Sequence, residues 1–287
     1  MSESVLVAWA ARTDVGRRRE QNEDAWFGEE RRDAPPGGLF VVCDGMGGHA
    51  RGEEASALAV QVLRRQLDWA LTGEWPDDST LLRRVREALL AANAAIFEWN
   101  EQASRSARER GGTTAVVLLV AGARVCLAHV GDSRIYRLTR GGLDRLTTDH
   151  NVASREIANG ESVASAWRRA DARHLTQALG PRDSDRVSPD LRVLALDEDA
   201  LFVLCSDGLS DQDFLDRRGL EVLRPLLARD ADLAAGCEAL VEAGNAVNGH
   251  DNLTALLVRI SGPTGSTART RVPTTERIPA PPVAPGS

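Results

Sequence analysis

The chain has 287 residues, 43% hydrophobic and 27% charged, with a formal net charge of −7. This is the composition of a soluble globular protein able to bury a substantial core, and its acidity argues against general nucleic-acid binding, which needs a basic face. All 35 basic residues are arginine, which excludes a Schiff-base or phosphate-loop lysine; a side-chain cation reaching a phosphate must be a guanidinium.

Cys43, Cys126, Cys205 and Cys237 are widely spaced, and three of them lie inside apolar runs. That spacing suits neither a zinc site nor a disulfide framework. The first residues carry no charged leader before their short apolar stretch, and no window approaches 18 apolar residues. The reading is therefore a cytoplasmic protein without membrane contact.

In chain order, Val5 to Ala11 predicts a first strand. Thr13 to Asp24 is a polar turn ending in two adjacent acids, and Arg31 to Gly38 is a loop rich in charge, proline and glycine. Leu39–Cys43 is an apolar strand that stops at Asp44-Gly45 and opens into a glycine-rich turn. Glu53 to Leu67 and Ser79 to Trp99 have helical periods. Three strands follow at 115–120, 124–130 and 134–139, with a hairpin signal at Arg140-Gly141-Gly142. Residues 149–173 form a helical or irregular excursion. Strands resume at 192–196 and 201–205, helices at 220–229 and 232–247, and residues 253–260 make the closing strand. Residues 1–261 read as one α+β domain and 262–287 as a disordered Pro/Thr-rich tail, whose threonines are candidate phosphoacceptors.

Asp44, Asp132 and Asp207 each follow an apolar run, and Asp251 precedes one. Taken singly, Asp-Gly after a strand is most often a tight turn. Together, carboxylates at strand ends on one side of a sheet would form an oxygen cage for hard divalent cations.

The motifs are more specific than the cage. Thr13-Asp14-Val15-Gly16 with Arg19-x-x-Asn22-Glu23-Asp24, Val42-Cys43-Asp44-Gly45-Met46-Gly47-Gly48-His49 and Gly111-Gly112-Thr113-Thr114 open the series. Val130-Gly131-Asp132-Ser133-Arg134, Leu146-Thr147-Thr148-Asp149-His150 and Leu175-Thr176-Gln177-Ala178-Leu179-Gly180 follow. Ser206-Asp207-Gly208-Leu209 and Gly249-His250-Asp251-Asn252-Leu253-Thr254 close it. In this order and across residues 5–260, the chain resembles the bacterial type of the metal-dependent type 2C serine/threonine protein phosphatases.

The resemblance implies a four-layer sandwich of two antiparallel β-sheets flanked by helices. It implies hydrolysis of phosphoserine and phosphothreonine monoesters by a water bridging two Mn²⁺ or Mg²⁺ ions. By the same resemblance Asp44 bridges the ions, the Gly45 carbonyl binds one, and Asp207 and Asp251 bind the other. Glu23 and Asp24 would hold metal-bound waters, Asp132 would bind a third, weaker ion, Arg19 the phosphate, and His49 would protonate the leaving oxygen. The implied partners are phosphorylated proteins and a Ser/Thr kinase whose targets this monomer resets. Residues 149–174 take the place of the family's flap but depart from its pattern at Asn151-Val152 and at Ala166-Trp167-Arg168-Arg169, which bears on substrate preference. Two other classes are a pseudophosphatase that binds phosphoproteins without turnover, which retention of Arg19, Asp44, Asp207 and Asp251 argues against, and a different two-metal hydrolase, whose basic groove or histidine pair the sequence lacks.

Overall fold

A computed structural model describes residues 5–31, 35–47, 51–103, 110–262 and 275–276. The elements in order are β1 (Leu6–Asp14), β2 (Asp24–Arg31), β3 (Gly37–Met46), α1 (Arg51–Leu67), α2 (Trp69–Thr72) and α3 (Asp78–Ala103). Then come β4 (Gly112–Thr113), β5 (Ala115–Ala121), β6 (Arg124–Val130), β7 (Arg134–Thr139), β8 (Gly142–Arg145), α4 (Val152–Ala158) and α5 (Val163–Arg168). The chain closes with β9 (Asp190–Ala195), β10 (Ala200–Cys205), α6 (Asp207–Ser210), α7 (Leu220–Leu223), α8 (Leu233–Asn248), β11 (Leu253–Ser261) and β12 (Thr275–Glu276).

Two antiparallel sheets result, one ordered β1-β11-β10-β7-β8 and the other β12-β9-β6-β5-β3-β2, with β4 paired to β3. The strands read as continuous apolar runs because both of their faces are covered. In β3, Phe40 and Val42 point toward Phe202, Leu204, Leu256 and Val258 of the opposite sheet. Leu39, Val41 and Cys43 point the other way, toward Ala55, Leu63, Leu81 and Leu89 of α1 and α3. In β10, Leu201, Val203 and Cys205 pack on Leu240 and Val241 of α8. The order is helix, sheet, sheet, helix, which is the four-layer sandwich expected. Each fully buried Leu or Phe contributes about 2 kcal/mol of transfer free energy to this arrangement.

The helices begin where the sequence supplies caps and charge. Asp77 Oδ1 accepts from Thr80 N–H at 3.0 Å ahead of α3. Asp232 accepts from the amides of Ala234 and Ala235 ahead of α8, and Glu53 and Glu54 complement the N-terminal dipole of α1.

The structure adds one strand and corrects two expectations. Residues 24–31 are a strand: β2 pairs with β3 in the register Asp24↔Asp44 to Arg31↔Gly37. The first strand runs on to Asp14. The helix expected over 220–229 is a π turn at Leu215–Gly219, a short α7 and a 3₁₀ turn at Arg224–Leu227, where Pro225 lacks the N–H a regular helix needs. Of the tail, Thr275–Glu276 pairs with Leu191 and Arg192 of β9; residues 263–274 and 277–287 lie outside the described residues. All four cysteines are buried and free. Among the described residues no helix is long and apolar enough to cross a membrane.

Candidate metal centre

Asp44 stands where β3 leaves its two-sided core. Its backbone is pinned on both sides: its N–H donates to Thr114 Oγ1 at 3.0 Å, and its carbonyl accepts from Thr114 N–H and from Thr113 Oγ1, both at 2.9 Å. Thr114 Oγ1 in turn lies 2.6 Å from Ser133 Oγ, tying the end of β3 to the β6–β7 turn that carries Asp132. Asp207 opens α6 directly after β10, and Asp251 lies between α8 and β11. The antiparallel register sets Asp24 opposite Asp44.

These carboxylates share one part-buried space open on the Asp251 side. Those of Asp44 and Asp207 are in hydrogen-bond contact, so without a cation between them one must carry a proton. Desolvation, then repulsion from Asp207, Asp24, Asp132 and Asp251, pushes Asp44 well above the usual carboxylate range. Desolvation and the Asp207 charge do the same to Asp132. Asp207 is raised to about 6 by burial and by Asp211 and Asp251. Burial raises Asp24 to about 7 even though two hydroxyls bind it: its Oδ2 accepts from Ser206 Oγ at 2.7 Å and from Thr254 Oγ1 at 2.6 Å.

The donor set fits hard divalent cations on two observations. The carboxylates crowd together, part-buried, without a matching number of protein cations, an arrangement that is costly unless positive charge is bound. In addition, Asp24 Oδ1 is buried and has no hydrogen-bond partner, an acceptor left without the donor or cation a buried oxygen needs.

The rim is built by the loop before β2. Arg19 is half-exposed, its Nη2 donating to Asp251 Oδ2 at 2.7 Å and its Nη1 lying 4.0 Å from Glu23 Oε2. Glu23 receives the Gly52 N–H at the start of α1, and desolvation raises its carboxyl above the ordinary range. Gly45 N–H donates to the Glu23 carbonyl at 3.1 Å. Thus Arg19, Glu23, Asp24, Asp44, Gly45, Asp132, Asp207 and Asp251 all face or border one site, whereas His49 lies outside the described residues.

Sequence reasoning gave no role to the residues that hold the carboxylates in place. Asn252 is the chief of them, with Thr114, Ser206 and Thr254. The available signal was a hydroxyl or amide in or beside an otherwise apolar run, since a buried polar group must find a partner. Asp211 was also missed: it receives Arg173 from the 149–174 excursion at 2.8 Å and lies 3.4 Å from His250 Nε2.

Known proteins share this architecture. The Listeria welshimeri serine/threonine phosphatase stp is 32% identical over 254 residues, covering 86% of this chain and 93% of that protein. The Mycobacterium tuberculosis serine/threonine protein phosphatase PstP is 31% identical over 90% of this chain and 46% of its own length. The catalytic domain of a serine/threonine protein phosphatase PstP, solved in complex with two manganese ions, superposes with a TM-score of 0.72 at 31% identity, over 90% of this chain and 100% of that one. The Streptococcus agalactiae serine/threonine phosphatase superposes with a TM-score of 0.74 at 28% identity, over 88% of this chain and 99% of that one. The family model described as protein phosphatase 2C matches residues 15–242; with the same sandwich and the same relatives along most of its length, the chain belongs to the protein phosphatase 2C family.

Proposed function

We propose that this chain is a metal-dependent phosphoprotein phosphatase acting on phosphoserine and phosphothreonine. The observation that carries the reading is the crowding of the part-buried Asp24, Asp44, Asp132 and Asp207 into one mutually repelling cluster beside Asp251 and Arg19. Asp44, the Gly45 carbonyl, Asp207 and Asp251 would hold two Mn²⁺ or Mg²⁺ ions, Asp132 a third, and Glu23 and Asp24 the waters around them. Such a pair supplies an ionised water at neutral pH and neutralises the phosphoryl oxygens.

The chain's own groups do the rest. Arg19 presents a half-exposed planar fork at the mouth of the site, suited to two phosphate oxygens. Ser206 and Thr254 hold Asp24, and Thr114 holds the end of β3, so the carboxylates need no reorganisation when substrate binds. His49 is assigned the proton for the leaving serine or threonine oxygen. Residues 1–261 form the catalytic domain and 262–287 a tail; a Ser/Thr kinase in the same cytoplasm would supply the substrates.

The test is hydrolysis of a phosphothreonine peptide with Mn²⁺, with EDTA, and with Asp207→Asn. The reading requires activity that depends on metal and collapses by at least about a hundredfold in the variant. A folded protein inactive across Mn²⁺ and Mg²⁺ titrations would instead be a phosphoprotein-binding module.

A further inference from the structure

His129, His150 and Asp190 lie apart from the carboxylate cluster, on β6, on the segment after β8 and on β9. Their ligand atoms fall within 4.8 Å of one another, and the two imidazoles stack with centroids 4.5 Å apart at 28°. By composition this is a metal site, but the hydrogen bonds assign it another task. A backbone N–H can only donate, so the 3.2 Å contact from Gly131 N–H makes His150 Nδ1 an acceptor. The ring proton is then on Nε2, the nitrogen 3.5 Å from Asp190 Oδ2. A metal at Nε2 would have to displace that proton while Gly131 still occupied the other lone pair. His129 also carries its proton on Nε2, which donates to the Thr148 carbonyl at 2.9 Å; its Nδ1 keeps a lone pair, so it is His150 that stands against a shared ion.

His150 also binds Gly131 through its main chain: its N–H donates to the Gly131 carbonyl at 2.9 Å. The N–H and the carbonyl of Gly131, one from each peptide unit flanking its Cα, are therefore both held by this one residue, immediately before Asp132. The carbonyl of His150 accepts from Thr176 N–H at 2.8 Å, Val152 N–H donates to His174 at 3.0 Å, and Asn151 bridges Leu175. Those contacts join the two feet of the excursion that carries α4 and α5. One residue thus bonds the base of the excursion and the turn that presents Asp132.

We propose that His150 is a positioning residue: its Nδ1 acceptor and backbone N–H clamp Gly131, aim Asp132, and couple that carboxylate to the base of the 152–174 excursion. Asp190 and the stacked His129 hold the ring so that Nδ1 faces Gly131. The consequence for metal binding rests on Asp132 being the ligand of the weaker third ion; the clamp itself does not.

Three substitutions separate the clamp from simple packing. His150→Asn keeps an acceptor at the Nδ1 position, His150→Gln keeps one only at the Nε2 position, and His150→Phe keeps the stacked ring alone. In metal-free protein labelled with ¹⁵N-glycine, the Gly131 amide should stay in place in the Asn variant and move in the other two. In Mn²⁺ titrations followed by calorimetry, the weakest site should lose about tenfold or more in affinity in the Gln and Phe variants and recover in Asn, with the tighter sites unmoved. Moved Gly131 amides with unmoved Mn²⁺ affinities would keep the clamp and reject Asp132 as a ligand. Asn and Gln variants with the same Gly131 shift would overturn the clamp. Long-range ¹H–¹⁵N spectra of the unmodified protein test it without any variant: a proton on His150 Nδ1, or an Nε2 signal displaced by Zn²⁺, would also overturn it.

Discussion

The side-chain oxygen of Asn252 accepts the backbone N–H of Glu23 at 2.9 Å, and its amide nitrogen donates to the carbonyls of Val15 and Gln21, each at 2.9 Å. One side chain thereby fastens the loop bearing Arg19 and Glu23 to the loop bearing Asp251. Asn252 is buried, so its removal strands three main-chain groups. Asn252→Ala should cost about 3 kcal/mol in urea unfolding, the range for a few unsatisfied groups. It should also lower phosphopeptide turnover by at least about tenfold, because Arg19 and Asp251 lose their mutual register. Asn252→Asp, which restores the acceptor but not the donors, should fall between; an Ala variant as stable and active as the parent would contradict the assignment.

Removing metal should give the protein an unusual pH dependence. Asp207 and Asp24 titrate in the folded protein at about 6 and about 7, against 3.8 for an ordinary Asp. Between those limits the folded state holds protons that the unfolded chain has released. Stability in EDTA should therefore be full below about pH 4 as far as these groups go, and should fall as pH rises to about 7, by about 1.4 kcal/mol per unit for each proton held. Saturating Mn²⁺ should reverse the loss, because the ions bind the folded state alone. Thermal melts at pH 5 and pH 7.5, with and without Mn²⁺, check this. Metal-free protein more stable at pH 7.5 than at pH 5 would count against the clustered carboxylates.

Arg134 and Asp149 form a buried bidentate pair, Nε to Oδ1 at 2.9 Å and Nη2 to Oδ2 at 2.7 Å, and Nη1 also donates to Tyr136, to the Ser210 carbonyl and to Asp216. Removing Arg134 strands the buried Asp149 carboxylate, and removing Asp149 leaves the guanidinium the longer Asp216 contact, at 3.3 Å, as its one carboxylate. Arg134→Met or Asp149→Leu alone should destabilise by about 3–5 kcal/mol, and the double substitution by clearly less than the sum of the two. Strict additivity in a double-mutant cycle would show that the pair is not coupled.

Much of this arrangement was legible before any coordinates, and the exceptions have physical causes. Strands β3, β5 and β10 announce themselves as apolar runs because helices cover their outer faces, and β11 does so with Thr254 and Arg259 as its polar interruptions. β2 did not: Asp24-Ala25-Trp26-Phe27-Gly28-Glu29-Glu30-Arg31 is an edge strand whose pairing to β3 is made by backbone bonds and shows no clean alternation. The cage was predicted because four acids flank apolar runs, and convergence follows once those runs lie in two stacked sheets. The fasteners were not, since Thr114, Ser206, Thr254 and Asn252 act through contacts to residues as much as 237 positions away, which no local pattern encodes. The role of His150 is hidden from the sequence for the same reason: its partner is Gly131 on a neighbouring turn.

Gly16 offers a test of how closely the Asp251 loop is held. Its φ is +79°, its N–H donates to Asp14 Oδ1 at 2.8 Å, and a Cβ placed on it would lie 2.1 Å from the carbonyl oxygen of Asp251. Asp14 is itself fixed by Asn245 Nδ2 at 3.0 Å, so the turn cannot swing away without breaking that bond as well. Gly142 is a matched control, since its φ is +141° and a Cβ there would meet nothing within 4 Å. Gly142→Ala carries only backbone strain and should cost about 1 kcal/mol, whereas Gly16→Ala adds the collision and should cost about 3 kcal/mol. Because the atom struck belongs to Asp251, Gly16→Ala should also weaken Mn²⁺ binding, and Gly142→Ala should not. Equal stability losses with unchanged Mn²⁺ isotherms in both variants would mean that the Asp251 loop yields freely, and that its carboxylate is placed by the metal rather than by the fold.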